Sequence, residues 1–391
     1  MSGRPRQWDA VVLGLGGLGS GALYWLARRG ARVLGIERFE TGHDRGGSQD
    51  HSRIIRLSYH RPEYVRLAFA AYEAWEALEQ EAGERLVTLT GGLDLFPAGA
   101  AIPPDDYVSS LEACGVPFER LTAAQIRRRW PAFTIDDDVI GLFQERGGLV
   151  DAARANAAHL RCARARGAEV LSGAPVESLR PVGDDELEIR VGGETHLARA
   201  VVVAAGAWSN RILEPLGRPL PLTVTREQVT YFGTPHLDEL APDRFPIWIW
   251  MDEPSFYGFP VYGEPGVKVA QDVGGRETTA EERDFEPDPE ALERVRSFCS
   301  RLLPKALGPE LYTKTCLYTL TPDRDFVLDA VPGAGPVWVA IGAGHAFKFA
   351  SAIGRILAEL AVDGRTEADL SLFSIDRPIL READPPKHFM V

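Results

Sequence analysis

Apolar residues at the start of the chain follow two patterns that together predict an alternation of strand and helix. Residues 9–13 contain a continuous apolar run, which predicts a buried strand. Residues 20–29 carry apolar side chains at helical spacing, and residues 32–36 form a second short apolar run. This order of elements is typical of the first strand, helix and second strand of a nucleotide-binding fold.

A glycine-rich loop, Gly14-Leu15-Gly16-Gly17-Leu18-Gly19, joins the predicted first strand to the predicted helix. In such a loop the first glycine permits a tight turn, the second lets the backbone approach a pyrophosphate, and the last lets helix and strand pack closely. The phosphates would lie at the positively polarised start of the helix. Glu37 ends the second strand, 23 positions after Gly14, where an acid binds a ribose hydroxyl and disfavours the 2′-phosphate of NADP. The sequence therefore predicts dinucleotide binding.

Further nucleotide-binding segments are dispersed along the chain. We predict a helix over residues 64–80, a helix over 152–166 with Asp151 as its N-cap, and a strand near 168–172 followed by Val176. We also predict hairpin strands at 187–191 and 196–200, a buried strand at 201–203 before the turn at Gly206, a strand at 337–341, and a helix at 347–360.

The segments between these elements contain short alternating strands and many aromatic residues. They cover residues 86–96, 118–143 and 220–317, and they predict a second, mainly antiparallel sheet. We therefore expect a discontinuous cofactor domain of residues 1–82, 147–218 and 318–391. A substrate domain would comprise residues 83–146 and 219–317.

Composition restricts the class of protein and its partners. The chain has 391 residues, 45% hydrophobic and 25% charged, with a formal net charge of −13. This charge argues against nucleic acid and anionic membranes as partners. No apolar run approaches the ~20 residues that span a bilayer. Residues 1–7 lack the apolar core of a signal peptide, and residues 388–391 match no targeting signal, so we expect a cytoplasmic protein.

Cysteine and lysine are both rare. The spacing of Cys114, Cys162, Cys299 and Cys316 fits neither a disulfide framework nor a metal site, so we expect reduced thiols and no metal. Five lysines stand against 38 arginines, and two of the lysines, Lys268 and Lys348, lie in apolar surroundings.

Five motifs along the chain resemble those of monomeric sarcosine oxidases and their N-methyltryptophan oxidase relatives. The motifs are Gly47-Ser48-Gln49-Asp50-His51-Ser52-Arg53-Ile54-Ile55-Arg56, Phe256-Tyr257-Gly258-Phe259-Pro260, Thr315-Cys316-Leu317-Tyr318-Thr319-Leu320-Thr321-Pro322-Asp323, Gly344-His345-Ala346-Phe347-Lys348-Phe349 and Leu372-Phe373-Ser374-Ile375-Asp376-Arg377-Pro378. The resemblance covers nearly the whole chain. It implies an α/β fold with a Rossmann-like FAD-binding domain of the glutathione reductase and D-amino-acid oxidase type, beside a mainly antiparallel substrate domain.

The resemblance also implies FAD bound covalently, with the thiol of Cys316 joined to the 8α-methyl group of the flavin. On the residues alone, a buried free cysteine is the alternative interpretation of Cys316. The cofactor-binding positions that we predict are Gly14, Gly16, Gly17, Leu18, Gly19, Glu37, Arg38, Ser48, Ser52, Arg53, Val176, Gly206, Trp208, Cys316, Gly342, Gly344, His345 and Lys348.

The family's substrates bring a carboxylate and an amine, and the resemblance assigns the carboxylate to Arg56 and Lys348. It places Arg53 against the flavin face, and Tyr318 on the wall of the substrate pocket. Tyr257 is a weaker candidate for the same wall. The alternatives are a solvated arginine pair on a strand and a lysine on the exposed face of a helix. Isoleucines between the arginines and phenylalanines beside the lysine favour the buried site.

Three further residues complete the predicted catalytic set. The resemblance places His345 at the flavin edge near the substrate amine, where a helix-capping histidine is the alternative. It places Lys268 near flavin N5, where the family activates dioxygen; the outward face of an edge strand is the alternative. Sarcosine oxidases carry a histidine in the substrate pocket four positions after this lysine, and here that position is Asp272. The acid changes the charge of the pocket and puts strict sarcosine specificity in doubt.

The resemblance thus implies a monomeric oxidase that converts sarcosine and other N-methyl amino acids to glycine or its analogue, formaldehyde and hydrogen peroxide. Within the same group, N-methyltryptophan, proline, pipecolate or other N-substituted amino acids are alternative substrates. A dehydrogenase that passes electrons to a carrier is a second alternative, which Lys268 disfavours. A non-catalytic flavoprotein is a third, which the presence of Arg56, His345 and Lys348 disfavours.

Overall fold

A computed structural model describes residues 6–183 and 186–388 of the chain. The expectations about residues 1–5 and 389–391 lie outside the described residues. The described part contains twenty strands and eight α-helices, numbered here along the chain.

The strands belong to three sheets. Their bounds are β1 Arg6–Leu13, β2 Val33–Ile36, β3 Arg53–Ile55, β4 Val87–Leu89, β5 Gly92–Phe96, β6 Glu119–Thr122, β7 Ile140–Gln144, β8 Gly148–Val150, β9 Glu169–Leu171, β10 Val176–Pro181, β11 Leu187–Val191, β12 Glu194–Val203, β13 Thr223–Gly233, β14 Ile247–Trp250, β15 Ser255–Gly258, β16 Gly266–Asp272, β17 Arg276–Glu277, β18 Glu310–Leu320, β19 Val327–Ala330 and β20 Val337–Ile341.

The α-helices are α1 Gly17–Arg28, α2 Pro62–Ala82, α3 Pro104–Ala113, α4 Ala123–Arg129, α5 Ala152–Ala165, α6 Ser209–Leu213, α7 Pro289–Leu302 and α8 Ala350–Asp363. The predicted helices at 20–29, 64–80 and 152–166 are confirmed as α1, α2 and α5. Asp151 caps α5, since its side chain accepts a hydrogen bond from the Arg154 backbone N–H. The predicted helix at 347–360 is preceded by a 3-10 turn over Ala346–Phe349.

The first sheet has eight strands and a parallel centre. Its main path runs β10-β11-β12-β1-β2-β9, and β20 pairs with β12 and β19. The pairs β12-β1, β1-β2, β2-β9 and β12-β20 are parallel. This sheet is the α/β core that the first apolar runs predicted. The glycine loop follows its strand β1 and leads into α1.

One strand prediction for this sheet was wrong. We predicted a hairpin strand at 196–200 and a separate buried strand at 201–203, but β12 is one continuous strand. Its first half pairs with β11 as a hairpin, and its last three residues pair with β20, while β1 follows nearly its whole length. Tertiary pairing on both sides keeps the strand extended through the change in pattern.

The second sheet has nine strands and is mainly antiparallel, as predicted. Its path runs β17-β13-β16-β15-β14-β5-β7-β6, with β18 paired to β13, and the β14-β5 pair is parallel. A third sheet, β3-β8-β4, carries Arg53. Strand β18 crosses position 317, where we placed a domain boundary, so the division into domains stays a prediction.

The first and last helices of the fold pack directly against each other. A Cβ atom on Gly21 of α1 would lie 2.5 Å from the Ala350 carbonyl oxygen, and one on Gly354 of α8 would lie 2.3 Å from the Gly21 carbonyl carbon. Contacts this short leave room for glycine alone. They bring the backbone of α8 against α1, the helix that follows the glycine loop, although the two helices are more than 300 residues apart in the sequence.

No helix in the described ranges is long and apolar enough to cross a membrane. Within the same ranges all four cysteines are free thiols, and no group of three or more acidic, histidine or cysteine side chains is placed to hold a metal ion.

Candidate active site

A cavity of about 720 Å³ extends from the glycine loop to the second sheet. Residues of both large sheets line it, together with β3 and the turn before α8. The predicted positions that line the cavity are Gly14, Gly16, Gly17, Leu18, Glu37, Arg38, Ser48, Arg53, Arg56, Val176, Gly206, Trp208, Tyr257, Asp272, Tyr318, Gly342, Gly344, His345 and Lys348. Gly19, Ser52, Lys268 and Cys316 are predicted positions outside this lining.

The glycine loop fits a dinucleotide phosphate. Gly14 has φ +90°, and a Cβ there would lie 2.7 Å from the Ala204 carbonyl oxygen. A Cβ on Gly19 would lie 1.8 Å from the Gly14 carbonyl oxygen, so only glycine lets the helix pack this close to the loop. The N-cap of α1, Gly16, offers no capping side chain, and the first turn has no acidic residue. The Gly17 N–H donates to the Ser48 hydroxyl at 2.9 Å, and the start of α1 faces the cavity, where its dipole favours an anion.

Glu37 is fixed as an ionised acceptor at the end of β2. Its carboxylate accepts hydrogen bonds from the backbone N–H groups of Leu15 at 2.8 Å and Phe39 at 3.0 Å. Burial raises the pKa of Glu37, but hydrogen bonds from His43, Leu15 and Phe39 outweigh this effect and lower it overall. A carboxylate in this position can accept a ribose hydroxyl, so the geometry fits the adenosine half of FAD.

Lys348 is the exceptional cation of the site. The residue lines the cavity, and its Nζ has neither a hydrogen bond nor an ion pair among the residues that the structure describes. The Tyr59 ring centroid is 5.7 Å from its Nζ. Burial lowers the pKa of Lys348 to about 7, and the nearby charge of Arg56 adds to this effect. A partly buried ammonium group of this kind is suited to an anionic ligand.

Arg56, the other predicted carboxylate ligand, already has a protein partner. Its Nη1 donates to Asp94 Oδ1 at 2.9 Å, and both side chains are almost fully buried. Burial lowers the pKa of Arg56, but Asp94 more than compensates, and the net shift is upward. Its Nε lacks a hydrogen-bond partner in the described structure. Arg56 can therefore contribute directional N–H groups, but its charge is largely balanced.

His345 lies in the cavity as a neutral imidazole. Its Nε2 donates to the Arg324 carbonyl oxygen at 2.9 Å, which leaves Nδ1 as an acceptor that is buried and has no partner among the described residues. Burial lowers the pKa of His345 well below its ordinary value, and the charges of Arg324 and Lys348 lower it further. An unpaired acceptor beside Lys348 can receive a hydrogen bond from an amine.

Asp272 forms a polar group with Arg324 and Tyr318, and all three residues line the cavity. Arg324 is 1% exposed and donates to Asp272 Oδ2 from both terminal nitrogens at 3.3 Å, while the Tyr318 hydroxyl donates to Oδ1 at 3.3 Å. The Tyr318 ring packs on Gly344, where a Cβ would lie 2.5 Å from it. The acid that departs from the family pattern is thus held in place by an arginine.

Lys268 lies behind the cavity wall rather than on it. Its Nζ forms a 2.6 Å ion pair with Asp50 and donates to the Ser52 carbonyl oxygen at 2.6 Å. Arg53 also pairs with Asp50, at 3.2 Å, and itself faces the cavity. Burial lowers the pKa of Lys268 to about 8, against the opposing effect of Asp50. The predicted exposed-strand alternative is wrong, because the side chain is 2% exposed.

Cys316 is partly buried on β18, next to residues that face the cavity. Leu317, Tyr318 and Thr319 line the cavity, and Leu317 N–H donates to the Gly46 carbonyl oxygen at 3.3 Å. Burial raises the pKa of the Cys316 thiol to about 11, while Arg53 acts in the opposite direction. The thiol therefore lies within the electrostatic range of the cavity's arginine.

Sequence reasoning missed Asp50, Asp94 and Arg324 as site residues. Asp94 lies in the buried run Leu93-Asp94-Leu95-Phe96, and a lone acid among apolar residues was a usable signal. Arg324 follows the cysteine motif directly and has φ +62°. The Asp50 carboxylate is buried between Lys268, Arg53 and Tyr231. Apart from Arg53, which follows Asp50 by three positions, the partners of these residues lie in distant parts of the sequence, which the spacing of motifs does not reveal.

The chain matches the FAD dependent oxidoreductase family over residues 9–360. It is 36% identical to a monomeric sarcosine oxidase from Streptomyces avermitilis, with 94% of this chain and 96% of the relative covered. It is 31% identical to one from Arthrobacter sp., with 97% and 98% covered. Among solved structures, NikD, an unusual amino acid oxidase essential for nikkomycin biosynthesis, superposes with a TM-score of 0.83 at 29% identity, covering 94% of this chain and 97% of NikD.

Proposed function

Because this chain belongs to the FAD-dependent oxidoreductases and, within them, to the monomeric sarcosine oxidases and their relatives, we propose that it oxidises sarcosine and other N-methyl amino acids. The products would be glycine or its analogue, formaldehyde and hydrogen peroxide. One observation supports this substrate class above all: Lys348 and His345 line the same cavity beside the glycine loop, and neither the ammonium group nor the imidazole Nδ1 has a partner among the described residues.

Lys348 is the proposed anchor for the substrate carboxylate. Its Nζ has no carboxylate partner in residues 6–183 and 186–388, so a substrate carboxylate gains a charge-assisted hydrogen bond without displacing an anion of that part of the chain. Arg56 adds directional N–H groups on the same side. Because Asp94 balances the charge of Arg56, the net attraction for the carboxylate comes chiefly from Lys348.

His345 is the proposed contact for the substrate amine. Its Nδ1 can accept a hydrogen bond from the amino group, because Nε2–H is committed to the Arg324 carbonyl. A low pKa keeps the imidazole neutral, so it does not repel the substrate ammonium. Tyr318 and Tyr257 close the wall on the other side and exclude water from the amine.

FAD, when bound, would accept the two electrons and the hydrogen removed from the N-methyl group and pass the electrons to dioxygen. The protein's part is to position the substrate and to supply charges. We propose that Arg53, with Lys268 behind it, provides fixed positive charge where negative charge develops during oxygen reduction.

We further propose that Cys316 binds FAD covalently through its thiol. The support is its place directly before three cavity-lining residues. Burial raises the pKa of the thiol, and the nearby Arg53 charge opposes part of that rise. The test is acid denaturation of the purified protein. Yellow precipitate and a mass increase on the peptide that contains Cys316 are expected, and release of all flavin into the supernatant would overturn covalent attachment.

The first experiment is an absorption spectrum of the anaerobic protein before and after addition of sarcosine. Flavin bands that bleach, followed by peroxide on admission of oxygen, are expected. Bands that persist with sarcosine and with every other N-methyl amino acid would contradict the proposed function. Bleaching without peroxide would indicate a dehydrogenase that uses another electron acceptor.

A second substrate class is favoured by Asp272. An acid held by Arg324 gives the pocket a hydrogen-bond acceptor where the resemblance leads one to expect a histidine. N-methyltryptophan, proline, pipecolate or another N-substituted amino acid would then be the better substrate. A panel of these amines at equal concentration decides between the two classes through kcat/KM.

We propose that the protein is a monomer, because two of its relatives are named for that state. Sedimentation equilibrium of the flavin-loaded protein tests this. A species of 42.8 kDa is expected, and a concentration-dependent dimer would contradict it.

A further inference from the structure

One aromatic ring lies beside both cations of the proposed carboxylate site. The Arg56 Cζ atom lies over the Tyr59 ring, 4.8 Å from its centroid, and Lys348 Nζ lies 5.7 Å from the same centroid. All three residues line the cavity. A cation within about 6 Å of a ring centroid is attracted by the negative face of the ring. Tyr59 is therefore an aromatic partner that the two cations share.

The Tyr59 ring is buried and is fixed by other rings. The residue is 1% exposed. The Tyr64 ring stacks on it with centroids 5.3 Å apart, and the Phe349 ring lies 5.8 Å away. The Tyr64 hydroxyl donates in turn to Asp325 Oδ1 at 2.9 Å. Packing thus fixes the place of the Tyr59 ring beside the two cations, and no ligand is needed for it.

The charges around Lys348 leave its ammonium group without an anion. Burial is the largest influence on its pKa and, with the charges of Arg56 and Arg324, lowers it to about 7. Asp272 and Asp94 act in the opposite direction. Each of these acids forms an ion pair with one of the two arginines, and neither forms one with Lys348 in the described structure. Aromatic rings are the neighbours that remain to stabilise the ammonium charge.

We propose that Tyr59 is a positioning residue of the carboxylate site, and that its ring stabilises the charges of Arg56 and Lys348 without neutralising them. This rests on the proposed function, because it takes Lys348 as the ligand of the substrate carboxylate. A carboxylate in the place of the ring would pair with the ammonium group and compete with the substrate. A ring attracts a cation but carries no net charge, so the attraction for the substrate is retained.

The ring of Tyr59, and not its hydroxyl, has this role. The hydroxyl has no hydrogen-bond partner among the described residues. Burial raises its pKa to about 12, against the opposing charge of Arg56, so the hydroxyl stays neutral near pH 7 and supplies no counter-charge. Tyr59→Phe should therefore preserve the site. A ring of the same shape with a weaker negative face should not.

The test measures the pKa of Lys348 directly. With five lysines in the chain, lysine labelled with ¹⁵N at Nζ gives a spectrum in which Lys348→Met identifies the Lys348 signal. This signal is followed against pH in the flavin-loaded protein, in Tyr59→Phe, and in protein with trifluorophenylalanine in place of Tyr59. The fluorine atoms withdraw electrons from the ring face and leave the shape of the ring almost unchanged.

We expect the same pKa for Lys348 in the unmodified protein and in Tyr59→Phe. In the fluorinated protein we expect this pKa to be lower by about 0.5–1, because the charged form loses stabilisation. The Kd of acetate at pH 7 should then rise by roughly two- to fivefold, since less of the ammonium form is present. Equal pKa values in Tyr59→Phe and in the fluorinated protein would overturn the proposal.

The matched control places the same trifluorophenylalanine at Phe373. This residue is 1% exposed and its ring lies 5.4 Å from that of Tyr64, so it belongs to the same aromatic cluster. It does not line the cavity, and no cation of the described residues lies over its ring. The pKa of Lys348 should not change in this protein. An equal fall in both fluorinated proteins would overturn the proposal, because it would come from repacking of the cluster.

The titration needs no turnover, so its outcome is independent of the proposed function. A lowered pKa in the protein fluorinated at position 59, with no oxidation of any N-methyl amino acid, would support the role of Tyr59 and overturn the oxidase assignment alone. Oxidation of these substrates, with equal pKa values in that protein and in Tyr59→Phe, would overturn the role of Tyr59 alone.

Discussion

At the scale of single residues, the site distinguishes cations that have carboxylate partners from one that does not. Arg56 is balanced by Asp94, Lys268 by Asp50, and Arg324 by Asp272. Lys348 has no such partner in the described structure, and its pKa falls to about 7 as a result of burial and neighbouring charge. Substrate binding should therefore depend on Lys348 more than on any other cation of the cavity.

We expect Lys348→Met to raise KM for the amino-acid substrate and to lower kcat/KM by roughly 10- to 100-fold, because a charge-assisted hydrogen bond contributes about 1.5–3 kcal/mol. Steady-state kinetics measure this. Lys387→Met is the control, since that lysine forms an exposed ion pair with Glu277. An unchanged KM in Lys348→Met would exclude the lysine as the carboxylate ligand.

The pKa of Lys348 also predicts a pH dependence of binding. A carboxylate ligand binds the protonated ammonium form, and this form is lost as the pH rises through about 7. We therefore expect the Kd of acetate or propionate to rise by about tenfold per pH unit above that value. Titration of the flavin spectrum measures Kd, and Lys348→Met should abolish the dependence. A Kd that fell with rising pH would contradict the assignment.

At the scale of elements, the sequence predicted the parts whose signals are local. The glycine loop, the cap at Asp151 and the helical periodicity of α2 each lie within a short window, and the structure contains all three. Local patterns could not reveal that β12 would be paired on both sides, or that β18 would pair with β13 along its length. Asp94 was missed for the same reason, because its partner lies 38 positions earlier on another segment.

The packing of α1 gives a prediction about a single methyl group. Gly19→Ala places a Cβ 1.8 Å from the Gly14 carbonyl oxygen, so either the loop or the helix must move. We expect a loss of about 1–3 kcal/mol in the free energy of unfolding and a reduced flavin content. Urea unfolding and the ratio of flavin to protein absorbance measure the two effects.

Gly46→Ala is the control for this substitution. A Cβ at Gly46 meets nothing within 4 Å, and the backbone there does not have a positive φ. Since Gly46 lines the cavity, only its stability is compared, and we expect this to stay close to that of the unmodified protein. An equal loss in the free energy of unfolding in Gly19→Ala and Gly46→Ala would mean that the close approach of α1 to the loop does not make Gly19 necessary for stability.

At the scale of the whole molecule, the cavity joins the two large sheets. β1, β2 and β20 contribute from the first sheet, and β14, β15, β16 and β18 contribute from the second. A ligand that fills such a cavity contacts both sheets. Its binding free energy therefore stabilises the molecule as a unit.

We expect Cys316→Ser, freed of flavin, to unfold at a lower temperature than with FAD in excess. A ligand at 100 times its Kd adds about 2.7 kcal/mol to the free energy of unfolding. Scanning calorimetry with and without FAD measures the shift, and one transition should move as a whole. Two transitions of which only one responds to FAD would indicate that the sheets unfold independently.

The contact between α1 and α8 has a consequence for synthesis on the ribosome. The glycine loop leaves the ribosome early, but the helix that packs against α1 begins at residue 350. At about 5–20 residues per second, a chain of this length takes roughly 20–80 seconds to complete. For almost all of that time, α1 lacks the helix α8 against which it packs in the folded protein. We therefore expect FAD capture to follow chain release, and chaperones that hold the unfinished chain to improve the yield of flavin-loaded protein.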